Sequence, residues 1–251
     1  MKKLFLFSAI TAFLSCSSDD NTQSEPINDP QPVSMKNKLK SHVMKSYLTT
    51  FFDIKYEYEV LGYVSKMTYT APYGTDMYTY TYEGDKIKGI KQTYSDQIIT
   101  TKFLYDGNLI VQEMIVNGHD DILIEYKYNS NDEVIRMTKS YISEEFPEYN
   151  YVVTVTDYSY KNGNVEFEIY KEYDINRLEI DRREKSYQYD KNNHPTMLSF
   201  PESYRKIRFE GKNNEITPYL ADFPLEIIYN SDKLPLKIND GIRVQDFEYH
   251  E

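Results

Sequence analysis

The chain has 251 residues, with 40 acidic against 29 basic side chains and a formal net charge of −11. A surface of that sign repels phosphate backbones and disfavours nucleic acid as a partner. The single cysteine, Cys16, excludes a disulfide framework, a zinc–thiolate site and a thiol nucleophile from the body of the chain.

The chain opens with Met1-Lys-Lys, a basic stretch followed by the apolar run from Leu4 to Leu14. That run is too short to cross a bilayer, which needs about 20 residues, and it has the form of a secretory signal over residues 1–15. Phe13-Leu14-Ser15-Cys16 resembles a bacterial lipobox, which implies that Cys16 is the lipidated first residue of the mature protein. Several acyl chains there would hold the protein on a membrane, each buried CH₂ contributing about 0.8 kcal/mol. The competing reading is an ordinary cleaved signal with an incidental cysteine. Residues 16–35 then form a tether of Ser, Asp, Asn and Gln with Pro26, Pro30 and Pro32, a composition that cannot bury a core. Ser17-Ser18-Asp19-Asp20 resembles the sorting signal that sends lipoproteins of Bacteroidetes to the outer face of the outer membrane. A tether facing the periplasm is the alternative.

Residues 36–251 read as one β domain. Leu39, Ser41, Val43, Lys45 and Tyr47 share one phase of a first strand, with a short helix as the competing reading; from Phe51 onward only strands are expected. Thr79-Tyr-Thr-Tyr82 alternates small polar and aromatic residues, the pattern of a half-buried strand. Glu83-Gly84-Asp85-Lys86 then breaks it with a glycine able to take φ > 0 in a tight turn, and Ile87 restarts the pattern. The aromatic-x-aromatic pair recurs as Tyr56/Tyr58, Tyr80/Tyr82, Phe103/Tyr105, Tyr126/Tyr128, Tyr158/Tyr160, Tyr187/Tyr189 and Phe247/Tyr249, with looser copies at Ile207/Phe209 and Ile227/Tyr229. Most copies lie 20 to 24 residues apart, the length of two strands and two turns. The predicted fold is all-β: an antiparallel meander of hairpins forming an extended, twisted sheet, single-layered over part of its length, with a closed barrel as the alternative. The 26 tyrosines and absence of tryptophan suit such a sheet, with rings packed and hydroxyls expected to stay in water.

Phe103-Leu-Tyr-Asp-Gly-Asn-Leu-Ile110 and Tyr187-Gln-Tyr-Asp190 resemble the tyrosine-aspartate (YD) repeats of Rhs-type shell proteins, and more closely the YD-like repeat lipoproteins of Bacteroidetes. The resemblance covers residues 50–251 and implies architecture. Most of the glycines of the Rhs pattern are missing, and the chain is too short to enclose a toxin, so the encapsulating role is not carried over.

The period lengthens around Ser143–Tyr151 and Ile175–Arg183. Insertions in a repeat scaffold place binding residues, so Phe146, Tyr149 and Tyr151 are candidate ligand contacts for a sugar ring or peptide. Packing inside a longer hairpin is the plainer alternative. His42, His119, His194 and His250 match no metal or catalytic spacing, and no HExxH, GxSxG, GxGxxG or P-loop pattern occurs. His119-Asp120-Asp121 reads as a polar turn. Asn129-Ser-Asn-Asp-Glu133 faintly resembles a calcium loop but lacks its glycine and distal glutamate, and also reads as a turn. No cofactor and no metal is expected. The sequence therefore predicts a non-enzymatic outer-membrane lipoprotein whose scaffold binds a glycan, peptide or envelope protein. An envelope-assembly component is the alternative, and a carboxylate-dependent hydrolase stands third.

Overall fold

Alternation of aromatic and polar side chains decides the architecture. Along Gly74–Glu83 the residues Tyr78, Tyr80 and Tyr82 turn to one side while Thr75, Thr79 and Thr81 stay exposed on the other, the period of two of a half-buried strand. The computed structural model describes residues 33–46, 50–95, 97–117, 121–143, 150–216 and 225–251. The strands are β1 (Leu39–Ser46), β2 (Thr50–Tyr58), β3 (Val64–Ala71), β4 (Gly74–Glu83), β5 (Lys86–Tyr94), β6 (Gln97–Asp106), β7 (Leu109–Val116), β8 (Asp121–Tyr128), β9 (Val134–Ile142), β10 (Tyr151–Lys161), β11 (Asn164–Tyr173), β12 (Glu179–Ser186), β13 (Tyr189–Asn193), β14 (Asn213–Glu215), β15 (Glu226–Tyr229), β16 (Pro235–Asn239) and β17 (Arg243–Tyr249). One helix, α1 (Glu202–Ile207), lies between β13 and β14.

A single antiparallel sheet takes 15 strands in the order β12 back to β1, then β17, β16 and β15. The predicted meander is present from β1 to β12. The last three strands join the far side of β1, so β1 pairs with both β2 and β17. Strands β12 and β15 end the sheet without pairing to each other: it is open, and the barrel alternative is not realised.

Alternate hairpins repeat one irregularity. In six of them the strand after the turn carries one residue without a cross-strand partner: Ser65, Lys88, Val111, Ile135, Glu166 and Leu236. A bulge increases local twist and bends its strand, so a bulge at the same place in successive hairpins curls the sheet. Gly89 follows one of them because a Cβ there would stand 2.9 Å from the backbone oxygen of Thr101. The turn before it holds Gly84 at φ 61°, the left-handed conformation the sequence predicts.

The bulges explain the second tyrosine of several pairs. A bulge leaves ladder groups unpaired, and a buried carbonyl without a partner is costly. The hydroxyl of Tyr82 donates to the carbonyl of Val64 at 2.7 Å, Tyr105 to Ile87 at 3.0 Å, Tyr128 to Ile110 at 2.6 Å and Tyr249 to Pro235 at 2.9 Å. Each acceptor immediately precedes an extra residue. Tyr58 donates likewise to Leu39 at 2.6 Å, beside the register shift of β1 against β17. These hydroxyls were expected to stay wet; instead they form a ladder that caps one repeat with the next.

The inner face of the curl is filled by residues 187–216, and here the strands-only expectation fails. Tyr187/Tyr189 and Ile207/Phe209 are not hairpins of the main sheet: β13 pairs with β14 in a separate two-stranded sheet, Ile207 ends α1 and Phe209 has φ 55°. Pro201 stands at the N-cap position without a capping bond, Glu202 lies in the first turn and Arg205 and Lys206 in the last, a charge order that suits the helix dipole. Phe200, Tyr204 and Ile207, spaced by four and three, bury one helical face against Val64, Tyr80, Ile87, Ile90, Ile110, Tyr126 and Val134. Each such side chain contributes about 1.5–3 kcal/mol. Backbone bonds fasten this inner segment to both halves of the sheet: Val64 N–H donates to Ser199 at 3.0 Å, Tyr187 N–H to Glu166 at 2.9 Å and Asn193 N–H to Lys233 at 3.1 Å. At the sheet's end β12 is exposed on almost every residue.

The first strand forms as predicted, but its phase breaks at Lys40, where the register against β17 shifts. Leu39 and His42, rather than Leu39 and Ser41, therefore share the inner side, with His42 stacked on Phe247 at 4.4 Å.

Candidate binding cleft

Polar ties lock the inner segment in place. Arg208, at the C-terminal end of α1, donates to both oxygens of Glu113 at 2.7 and 3.0 Å, and the hydroxyl of Tyr126 donates to the same carboxylate at 2.8 Å. Glu113 stands on β7 and is 1% exposed. Burial works against the Arg208 charge, but Tyr204, Glu113 and Tyr126 more than offset it and raise its pKa. Burial, followed by the Glu113 charge, pushes the Tyr126 phenol well above its ordinary value.

A second tie has the composition of a catalytic relay without its geometry. His194 Nδ1 lies 2.9 Å from Thr196 Oγ1, and the Thr196 hydroxyl donates to Glu210. In a nucleophile relay the imidazole sits between hydroxyl and carboxylate; here the hydroxyl is in the middle and its proton goes to the carboxylate. Burial, helped by Arg205, lowers the His194 pKa to about 4, so the ring is neutral at physiological pH. Burial pushes Glu210 upward, against Thr196, Arg205 and Arg208. The arrangement is a strap across a loop.

Between α1 and the turns of β8–β9 and β10–β11 lies a half-open cleft of about 360 Å³, within the range of small-molecule sites. Its floor is Val134, Tyr160, Val165, Met197 and Phe209. The Phe209 ring stacks on Tyr158 at 4.1 Å, which holds a bulky residue at a left-handed φ that it rarely adopts. The mouth carries Arg205, Lys206 and Lys212. Lys206 pairs with Glu202 at 3.1 Å. The Arg205 Nε is buried without a hydrogen-bond partner, and among the described residues neither Arg205 nor Lys212 forms an ion pair. Of the carboxylates around them, Glu133 accepts from Asn129 at 2.8 Å and Glu210 from Thr196, and the Arg205 charge acts on Glu210 without a direct bond.

A second cavity, of about 620 Å³, lies between the inner segment and the β1–β17 end of the sheet. It is lined by His42, whose Nε2 lies 3.0 Å from Gln245 Oε1, and by Asp240, paired with Arg243 at 2.7 Å. His194 and Thr196, and Lys185 and Glu215, are also bonded in pairs along its lining. Burial lowers the His42 pKa, against Gln245 and Asp246.

Of the candidate residues named from sequence, Cys16, Phe146 and Tyr149 lie outside the described residues, as does His119. Tyr151 begins β10 opposite Tyr141, their rings 5.6 Å apart, and it does not line the cleft. The Asn129–Glu133 segment is a turn: the side-chain Oδ1 of Asn129 accepts from the backbone N–H groups of Asn131 and Glu133 at 2.9 and 3.1 Å, which uses the oxygen a cation would need. No group of three His, Cys, Asp or Glu side chains that could hold a metal occurs among the described residues. Sequence reasoning missed Arg205, Met197 and Phe209 because the repeat pattern was extended through α1. Pro201 and the spacing of Phe200, Tyr204 and Ile207 were the signal that could have found the helix.

No protein-family model and no curated protein matches the chain. Solved structures of like fold exist. The crystal structure of a porin-like protein from Bacteroides vulgatus superposes with a TM-score of 0.55 at 13% identity, covering 85% of this chain and 98% of that one. A porin-like protein from Bacteroides uniformis gives 0.50 at 9% identity, covering 88% of this chain and all of the other. At those identities the likeness is one of fold: an all-β sheet of similar course.

Proposed function

We propose that this protein is a non-catalytic, lipid-anchored scaffold of the cell envelope that binds a ligand in the cleft beneath α1. One observation carries the binding reading. The buried polar groups that could do chemistry (His194, Thr196, Glu210, Glu113 and Arg208) are tied to one another, whereas the cleft offers an apolar floor rimmed by charged side chains. That is the equipment of recognition rather than turnover. The envelope reading is supported by Cys16 at the lipobox position and by a fold shared with porin-like proteins of Bacteroides. Ser17-Ser18-Asp19-Asp20 supports the outer face of the outer membrane.

The assembly role is the weaker reading. A partner that added a strand would use one of the two free edges; β15 is only four residues long, and β12 presents Glu179, Asp181, Arg182, Arg183, Glu184 and Lys185, with Arg182–Glu184 and Arg183–Asp181 paired along the strand. Charges of that density keep an edge from being extended.

Protease shaving of intact cells tests the location, with a Cys16→Ala variant as the anchor control. Digestion of the wild-type domain on intact cells is the expected result. Protection until the outer membrane is opened would move the protein to the periplasmic face. Polysaccharide turnover by the purified protein, abolished by one Asp or Glu substitution, would overturn the non-catalytic reading.

A further inference from the structure

We propose that the cavity between the inner segment and strands β1, β2 and β17 binds a small uncharged saccharide through Tyr56, His42 and Gln245. This site is separate from the cleft beneath α1 and does not depend on it.

The charges of the lining point to an uncharged ligand. The walls of this cavity of about 620 Å³ carry two cations and two carboxylates. They pair with each other, Arg243 with Asp240 at 2.7 Å and Lys185 with Glu215 at 3.5 Å. Both histidines of the lining are neutral at physiological pH, because burial lowers the pKa of His42 and of His194. A charged ligand would have to compete with one of these pairs for its counter-charge. An uncharged one leaves both pairs intact.

The hydrogen-bonding groups point to hydroxyls. Burial keeps the Tyr56 phenol un-ionised, so its O–H both donates and accepts, and it has no hydrogen-bond partner among the described residues although it lines the cavity. The His42 Nε2 lies 3.0 Å from Gln245 Oε1. An amide oxygen only accepts, so Nε2 holds the proton and Nδ1 is left as an acceptor, while the Gln245 amide nitrogen keeps its donors. A wall that offers donors and acceptors together matches a ligand whose hydroxyls do both. An apolar ligand would leave all three residues without partners, at a cost for each.

The dimensions fit a sugar of two rings. Strands β17, β1 and β2 are consecutive in the sheet and about 4.8 Å apart, so Gln245, His42 and Tyr56 are spread over about 10 Å of wall, the reach of two linked pyranose rings. The volume holds on the order of twenty water-sized groups. Leu225, Ile238 and Phe247 supply apolar lining for the C–H faces of the rings. The three polar residues stand on strands of the main sheet, so little ordering is needed on binding.

The test uses the mature chain with Cys16→Ala, which keeps it unlipidated and in solution, and follows the methyl NMR signals of Leu225 and Ile238. The probes are maltose, cellobiose, lactose and gentiobiose, each beside glucuronate- and glucosamine-containing disaccharides of the same linkage as anionic and cationic counterparts. At least one uncharged disaccharide is expected to shift both sets of methyls, with its charged counterparts weaker by about tenfold. Tyr56→Phe is expected to weaken that sugar by about two- to tenfold, the scale of one neutral hydrogen bond. Its hydroxyl has no protein bond to lose, so this variant is expected to melt with the wild type. Gln245→Leu is expected to weaken the sugar by a similar factor. No shift with any of the four sugars, equal binding of the charged counterparts, or binding unchanged in both variants would overturn the proposal. Shifts confined to Val134 and Val165 would place the sugar in the cleft beneath α1 and overturn it as well.

Discussion

Replacing Arg208 by Met should destabilise the protein more than replacing its partner Glu113 by Gln, and the reason lies in unequal burial. The Glu113 side chain is 2% exposed and Arg208 31%. With Arg208→Met, a carboxylate remains sealed between β7 and α1 with one donor left, the Tyr126 hydroxyl at 2.8 Å. Breaking a buried pair so that one charge stays behind costs about 3–5 kcal/mol; the surviving Tyr126 bond places the expected loss near the lower end, about 3 kcal/mol. With Glu113→Gln the isosteric amide keeps an acceptor for Arg208, and the guanidinium can turn toward solvent, so the expected loss is about 1–2 kcal/mol. For a domain of this size 1 kcal/mol moves Tm by about 2–4 °C, so the two variants should melt several degrees apart. Urea unfolding of the wild type, both single variants and the double variant measures the coupling. The double variant removes both charges and should be more stable than the sum of the single losses by about 1 kcal/mol or more. Equal single losses that add without coupling would refute the buried-charge argument.

The tyrosine ladder makes a second prediction. Tyr128→Phe, Tyr105→Phe and Tyr82→Phe should each cost about 1 kcal/mol, whereas Tyr73→Phe, at a side chain 81% exposed, should change nothing in the same thermal melts. The third concerns pH. His194 is held to about 4 in the folded state against an ordinary value near 6.5, so its stabilising effect is complete above about pH 6.5 and is lost as pH falls toward 4. At about 1.4 kcal/mol per unit, this group accounts for at most about 3 kcal/mol of the acid limb. Chemical denaturation between those pH values should show a shallower decline for His194→Gln than for the wild type.

The meander was legible because Tyr80 and Tyr82 alternate with threonine and because Gly84, Gly107 and Gly163 mark turns of positive φ. The curl was not, since a bulge residue such as Val111 looks in sequence like any other strand residue; only its pairing shows that it has no partner. The role of the tyrosine hydroxyl was hidden for the same reason. It depends on the carbonyl of a residue 18 positions earlier in the chain, as in Tyr128 and Ile110. The cleft was the least legible part. Arg205 and Lys212 look like surface cations until the fold places them at one cleft with Met197 and Phe209. The candidate contacts in the lengthened hairpin rested on loop insertion alone; of these Tyr151 faces Tyr141 across a strand pair.

Pairing of β1 with β17 joins Leu39 to Tyr249, and it imposes an order of completion on a chain synthesised from its N-terminus. Hairpins from β2 to β12 can close as soon as each emerges, because their partners are adjacent. The outer edge of β1 must wait for nearly the whole chain. Until then it is a strand with a free row of backbone donors and acceptors, open to pairing with any extended polypeptide nearby. A chain cut short before Arg243 would keep the local hairpins and leave that edge permanently uncovered, so loss of a few C-terminal residues should yield an aggregating species rather than a slightly smaller domain.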